Sequence, residues 1–172
     1  VLGSPQPDFS FGFQNSFNYK RWTLDIFLQG TYGNEIYNSL TQSAFFGRPE
    51  ANKYKSTLDR WTPQNTDSDV PRAGTVATLS SVYSNSKMVE DGSHLRLKNL
   101  RLNYSLPVKK WGLSGFKDLS VYFSGSNLLL FSDFQLFDPE VSQYGDSNTA
   151  VGFSQGEYPY GRTLTVGIRA TL

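Results

Sequence analysis

Few residues in this sequence have the chemistry that catalysis or metal binding requires. There is one histidine, His94, and there is no cysteine among the 172 residues. These counts exclude a thiol nucleophile, a thiolate metal site and any mechanism that needs two imidazoles. His94 follows Asp91 and Ser93, but neighbours at one strand start do not have the geometry of a Ser–His–Asp triad. We predict no catalytic residue, no cofactor and no enzymatic activity.

Two pairs of carboxylates stand close together in the sequence. Asp67 and Asp69 offer hard oxygen ligands for calcium, but the glycine and the distal glutamate of an EF-hand loop are missing. Asp138 and Glu140 have the residue types of a glycosidase pair, although Pro139 between them is more typical of a rigid turn. We therefore predict solvated or structural carboxylates and no metal site. The alternative that the first pair holds calcium stays open.

Charge and composition limit the classes of partner. The chain has 16 Lys and Arg against 15 Asp and Glu, so its formal net charge is +1. This balance excludes a domain that binds nucleic acid through its phosphates. Aromatic residues make up 15% and charged residues only 18%, which is unusual for a soluble helical enzyme. The first residues lack the features of a signal peptide, and we expect the chain to begin within a longer protein.

Alternation of apolar and polar residues with a period of two is the dominant pattern. Between Phe9 and Tyr19 the aromatic residues occupy odd positions, and mostly polar residues lie between them. The phase shifts between Leu97 and Leu100, which predicts a β-bulge near residues 98–99. The runs predict five strands, at about 8–19, 22–32, 93–106, 118–126 and 162–172.

Short and long connections alternate between these strands. The long loops cover about 33–92 and 127–161, and the first could include one short strand near 75–83. Strands that cross an outer membrane need about 9 to 11 residues, and short turns at one end with long loops at the other are typical of outer-membrane β-barrels. The pattern therefore favours antiparallel membrane-spanning strands with long extracellular loops.

Three architectures are consistent with the alternation alone. Five strands cannot close a barrel, and an open sheet edge cannot face lipid. The chain is therefore either the last part of a larger barrel or a free-standing barrel of about eight strands with a structural or adhesive role. In the third architecture, a soluble β-sandwich that binds carbohydrate, the aromatic residues would fill the core.

Five groups of residues occur in an order that carries a resemblance. One of them, 90–100, reads Glu-Asp-Gly-Ser-His-Leu-Arg-Leu-Lys-Asn-Leu. The others are 3–13, 19–34, 60–72 and the pair 126–129 with 137–141. Together they resemble the C-terminal part of the SusC/RagA family of TonB-dependent outer-membrane transporters of Bacteroidetes. The sequence departs from the family pattern at His94, where an aromatic residue is commoner, and at Leu172, where phenylalanine is usual.

The resemblance implies an all-β fold, an antiparallel transmembrane β-barrel of about 22 strands, of which this chain supplies about the last five. It implies a multi-pass protein of the bacterial outer membrane, surrounded by lipid, that imports oligosaccharides or peptides. The implied partners are a SusD-like surface lipoprotein and TonB, which acts through a plug region outside this chain. The candidate contacts in the long loops are Trp61, Asn65, Arg72, Phe137, Asp138 and Glu140.

Overall fold

The computed structural model describes residues 2–41, 52–73, 86–113, 115–140, 142–144 and 151–172. Strands dominate the described part, with short 3-10 helices at Lys55–Asp59 and Ser86–Met88. The strands are β1 (Phe9–Tyr19), β2 (Trp22–Tyr32), β3 (Glu35–Asn38), β4 (Val89–Asp91), β5 (His94–Ser105), β6 (Asp118–Ser132), β7 (Phe153–Ser154) and β8 (Thr163–Thr171). Within these ranges no helix has the length and apolar character that crossing a membrane would require.

The five long strands form one sheet in the order β1-β2-β5-β6-β8, and each strand is antiparallel to its neighbours. A tight turn joins β1 to β2, with Lys20 in the left-handed region at φ 55°. A longer turn joins β5 to β6 at the same end, which we call the short-turn end. At the opposite, long-loop end, β3 pairs with β4 and β7 in a separate three-stranded sheet.

The strand register separates the two faces of the large sheet. One row crosses all five strands with apolar residues only: Phe17, Leu24, Leu102, Phe123 and Val166. The adjacent row is polar throughout: Ser16, Asp25, Arg101, Ser124 and Thr165. Because side chains alternate between the faces of a strand, one face of the sheet is apolar and the other is polar.

The predicted β-bulge is confirmed. Leu28 of β2 pairs with Leu97, whereas Phe27 pairs with Asn99, so Lys98 is the extra residue. A bulge of this kind leaves one residue unpaired and redirects side chains. Because of the bulge, Leu97 lies opposite Leu28 and Leu100 lies opposite Ile26, so both leucines have apolar partners. Lys98 lies on the polar face.

The apolar face is not covered by the described residues. Phe17 is 53% exposed and Val166 is 73% exposed, whereas the buried hydrophobic side chains are Ile36, Met88, Val108 and Phe134, none of them on the large sheet. A soluble sandwich would bury this face against a second sheet, so the sandwich alternative is wrong for the described part. The eight-stranded barrel is wrong there too, because β3, β4 and β7 form their own sheet.

The structure corrects the predicted loop boundaries. The predicted loop 33–92 contains β3 and β4, and β6 continues to Ser132, beyond the predicted end at 126. Strands of two to four residues are too short for alternation to reveal them. The end of β6 was missed because the register shifts there, with Leu97 opposite Leu129 but Asn99 opposite Ser126. The short strand expected near 75–83 lies outside the described residues.

Candidate functional site

Charged side chains meet on the polar face at the long-loop end of the sheet. His94, Arg96 and Lys98 come from the start of β5, and Asp138 and Glu140 come from the segment that follows β6. We call these five residues the ion cluster. His94, Arg96 and Lys98 share a face because alternate residues of a strand point to the same side, and Lys98 is the unpaired residue of the bulge.

The ion cluster is compact and largely buried. Arg96 Nη2 donates to Asp138 Oδ1 at 2.5 Å, and Lys98 Nζ donates to Glu140 Oε2 at 3.0 Å. Arg96 Nε lies 2.6 Å from Glu140 Oε2 and His94 Nε2 lies 3.4 Å from Glu140 Oε1, although neither nitrogen has a hydrogen-bond partner among the described residues. The side chains of Arg96 and Asp138 are 3% and 2% exposed. Two carboxylates thus face an arginine and a lysine in a largely buried cluster, where an unpaired charge would be costly.

Glu140 stays ionised because of its neighbours. Burial raises the pKa of this carboxyl, but contacts with His94 and Lys98 and the positive charges of Arg96 and Lys98 outweigh that effect and lower the pKa to about 2. A carboxylate that accepts several charged hydrogen bonds is stabilised in its anionic form. Glu140 is therefore ionised and available for ion pairing at neutral pH.

His94 is held by the backbone of the preceding turn. Its Nδ1 lies 3.1 Å from the Gly92 carbonyl oxygen and 3.2 Å from Thr31 Oγ1. Because a carbonyl oxygen only accepts hydrogen bonds, Nδ1 carries the hydrogen in this arrangement. Nε2 faces Glu140 Oε1 at 3.4 Å and has no hydrogen-bond partner among the described residues. At the position where the sequence departs from its family pattern, the side chain therefore packs against the carboxylate of Glu140.

The ion cluster also fixes a tyrosine on the polar face. Asp138 Oδ2 accepts a hydrogen bond from the Tyr160 backbone N–H at 3.1 Å. The Tyr160 ring centre lies 5.1 Å from Lys98 Nζ and 5.8 Å from Arg96 Cζ, within cation–π range. The Tyr160 side chain nevertheless remains 52% exposed.

The predicted contact residues fall into two groups. Trp61 and Phe137 are 38% and 61% exposed, and Arg72 is exposed as well. Asn65 is half-buried and stabilises its own loop, since its Nδ2 donates to Asp59 Oδ1 at 2.9 Å.

Asp138 and Glu140 belong to the ion cluster instead of pointing outward, and no hydrogen bond or ion pair among the described residues joins them to Trp61, Asn65 or Arg72. Sequence reasoning did not single out Arg96 or Tyr160, and it placed Lys98 on the polar face without its carboxylate partner. The available signal was the pair of cations two positions apart on one strand and the pair of carboxylates with the same spacing in a loop.

A second feature at the long-loop end is a cavity of about 470 Å³. Its lining includes Val70, Met88 and Glu90, together with Asp69 and Lys87, which form an ion pair at 3.8 Å. Glu90 is engaged within the fold, because it accepts hydrogen bonds from the Asn38 side chain and from a backbone N–H. Within the described ranges, no group of three or more histidines and carboxylates is arranged to hold a metal ion.

Comparison with known proteins relates the chain to receptors of the bacterium Formosa agariphila. TonB-dependent receptor P26 is 48% identical over 99% of the chain, and TonB-dependent receptor P3 is 38% identical over 98%. The chain spans only 18% and 17% of the lengths of these relatives. No protein-family model matches the chain.

Solved structures show the same fold. A structure of the RagAB peptide transporter matches 99% of the chain with a TM-score of 0.80 and 27% identity, and the match covers 18% of that chain. The RagAB peptide importer in its open-open state matches with a TM-score of 0.77 and 26% identity. The antiparallel sheet with its apolar and polar faces thus matches the β-barrel class of fold to which these solved structures belong. The chain is thus similar to part of known TonB-dependent receptors and of the RagAB transporter, in agreement with its sequence resemblance to the SusC/RagA family.

Proposed function

We propose that residues 1–172 form the C-terminal part of a TonB-dependent outer-membrane transporter that imports peptides or oligosaccharides. The single observation that carries this proposal is the 48% identity to TonB-dependent receptor P26 over 99% of the chain. The apolar row across all five strands supports it, because that row provides a lipid-facing surface.

The proposal orients the sheet in the membrane. The apolar face contacts lipid, the polar face lines the barrel lumen, and the long-loop end lies on the extracellular side. The ion cluster then sits on the lumen wall near the extracellular entrance. By pairing with β5, Asp138 and Glu140 draw the segment after β6 back over this wall.

Import requires partners beyond this chain. We propose a SusD-like lipoprotein at the long-loop end, and TonB coupled through a plug region outside these residues. Trp61, Arg72 and Phe137 are exposed at the loops, and we propose them as outward contacts with substrate or lipoprotein. Asn65, Asp138 and Glu140 would act indirectly, by holding their loops in position. No enzymatic step is part of the proposed activity.

Two substrate classes remain in the proposal, and the solved neighbours favour one of them. The structures that match nearly the whole chain are named as a peptide transporter and importer. We therefore place peptides first and oligosaccharides second. In both cases transport is non-covalent, so the side chains of the lumen wall would act by binding and positioning.

The test is an uptake experiment with the complete transporter in its own cells. Wild-type cells and cells that lack the transporter gene are incubated with a tryptic digest of serum albumin or with a partial hydrolysate of β-glucan. Mass spectrometry then follows the loss of individual oligomers from the medium. We expect the wild type to deplete members of one pool in a TonB-dependent manner. Equal depletion by both strains in both pools would contradict the proposal.

A further inference from the structure

We propose that Tyr160 is a substrate-contacting residue on the lumen wall, held in position by the ion cluster. This inference rests on the transport function proposed above and deepens it by naming one binding residue. Nothing in the sequence pattern singles out Tyr160, since it lies in a segment without alternation. Three features of the structure distinguish it from the other aromatic residues of the loops.

The first feature is its fixed backbone. The Tyr160 N–H is bound by the carboxylate of Asp138, which is itself 4% exposed, and the next carbonyl group, that of Gly161, accepts a hydrogen bond from Asn127 Nδ2 at 3.3 Å. The segment is therefore attached to β6 at Asn127 and, through Asp138, to Arg96 on β5. A side chain that is already ordered loses little entropy when a ligand binds.

The second feature is that the Tyr160 ring contacts two cations and is also partly exposed to solvent. The Lys98 ammonium and the Arg96 guanidinium lie within cation–π distance of the ring, and half of the Tyr160 side chain is open to solvent. The ring is thus supported by protein on one part of its surface and free on another. This is the arrangement of a stacking platform, because a rigid aromatic residue offers contact area at low entropic cost.

The third feature is the absence of strong net charge beneath the ring. Lys98 and Arg96 are paired with Glu140 and Asp138, so the platform does not select strongly for an anion or a cation. It fits a neutral group with a flat apolar face, such as a proline ring, an aromatic side chain or the C–H face of a pyranose. A peptide or an oligosaccharide could each supply such a group.

Tyr158 provides a matched control. It lies two positions earlier in the same segment and is 89% exposed, and no hydrogen bond or ring contact involving it is described in the structure. If exposure of an aromatic side chain were sufficient, Tyr158 would be the better platform. If positioning by the ion cluster matters, Tyr160 is the one that contributes.

The experiment uses the complete transporter in cells, with the two oligomer pools described above. Initial uptake rates are measured at several concentrations for wild type, Tyr160→Ala, Tyr160→Phe and Tyr158→Ala, with the amount of folded transporter at the outer membrane measured in parallel. We expect Tyr160→Ala to raise the half-saturating concentration about five- to tenfold at an unchanged maximal rate, and the other two variants to stay within about twofold of wild type.

The outcomes separate this inference from the proposed function. If wild-type cells deplete neither pool, the transport proposal itself fails. If they deplete one pool and Tyr160→Ala behaves as wild type, only the inference about Tyr160 is overturned, and an equal defect in Tyr160→Phe would overturn stacking as its basis. If Tyr160→Ala reduces the amount of folded protein, Tyr160→Leu, which keeps the volume without a flat ring, replaces it with the same expected shift. The pool that responds identifies the source of the stacked group.

Discussion

Arg96 and Asp138 form a buried ion pair between a strand and a loop 42 residues further along the chain, with Nη2 and Oδ1 2.5 Å apart. Through this pair the segment after β6 is attached to the polar face of the sheet. Asp138 also accepts hydrogen bonds from the backbone N–H groups of Glu140 and Tyr160. One carboxylate therefore organises both the turn that contains it and the later part of the same loop.

Removing one partner of this pair should destabilise the loop strongly. Asp138→Asn or Arg96→Met leaves an uncompensated buried charge, which typically costs about 3–5 kcal/mol. We expect either variant of the complete transporter to become sensitive to protease within 133–161, as measured by limited chymotrypsin digestion in outer-membrane preparations, since this segment has phenylalanine and tyrosine but no lysine or arginine. Asp69→Asn, at a side chain that is 97% exposed, serves as the control and should digest as wild type does. Resistance of Asp138→Asn equal to that of the control would contradict the role of the pair.

At acid pH, protonation of Glu140 should weaken its ion pairs and loosen the same loop. Its pKa in the folded protein is lowered to about 2 from an ordinary value of 4.5, so its contribution to stability is fully present above about pH 4.5. That contribution is lost as the pH falls through 4.5 toward 2. We expect the loop of wild type to become more sensitive to pepsin, an acid-active protease, as the pH falls through this window, with chymotrypsin used for the comparison at pH 7. Glu140→Gln should be more sensitive at pH 7 and should show a smaller change with pH. Identical pH profiles for the two proteins would show that other groups control the loop.

Gly30 should not tolerate a larger side chain. A Cβ at this position would clash with the His94 carbonyl oxygen and with the Phe11 ring on the neighbouring strands. We expect Gly30→Val to reduce the folded fraction of the complete transporter markedly, since overpacking typically costs about 1–3 kcal/mol. Gly115→Ala is the matched control, because nothing lies within 4 Å of the added carbon. The folded fraction can be measured from the difference in gel mobility between unheated and boiled samples.

A lysine on the apolar row should prevent membrane insertion, whereas one on the polar row should not. Val166 and Thr165 are neighbours on β8 that belong to the apolar and the polar row. A lysine that faces lipid near the bilayer centre costs about 2–4 kcal/mol. We expect Val166→Lys to lower the amount of transporter in the outer membrane, and Thr165→Lys to leave it close to wild type. The reverse ranking would mean that the faces are assigned the wrong way round.

Much of the fold could be predicted because apolar and polar residues alternate along each strand, and this alternation assigns the two faces of the strand. Between Phe9 and Tyr19 the aromatic residues keep to odd positions, with Asn15 as the one polar exception, and β1 covers those residues. The bulge at Lys98 was also predictable, since a phase shift between Leu97 and Leu100 requires one extra residue. Local alternation does not predict β3 and β7, because pairs such as Tyr37 with Phe153 join segments that are far apart in the chain.

The site was predicted only in part. Asp138 and Glu140 were recognised as a pair of carboxylates, but their partners were not, and the loop was expected to point outward. Nothing in the spacing of Asp138 and Glu140 indicates that they face Arg96 and Lys98. That pairing depends on the direction in which the chain returns after β6, and a local pattern does not contain this direction.

By itself, the sequence determined the antiparallel strands, their two faces and the family resemblance, because period-two alternation and short motifs depend on neighbouring residues. Only the tertiary structure decided that a loop closes onto the polar face through Arg96 and Asp138, and that Tyr160 lies over Lys98. These contacts form between distant segments, since buried charges must find opposite charges wherever the fold brings them together.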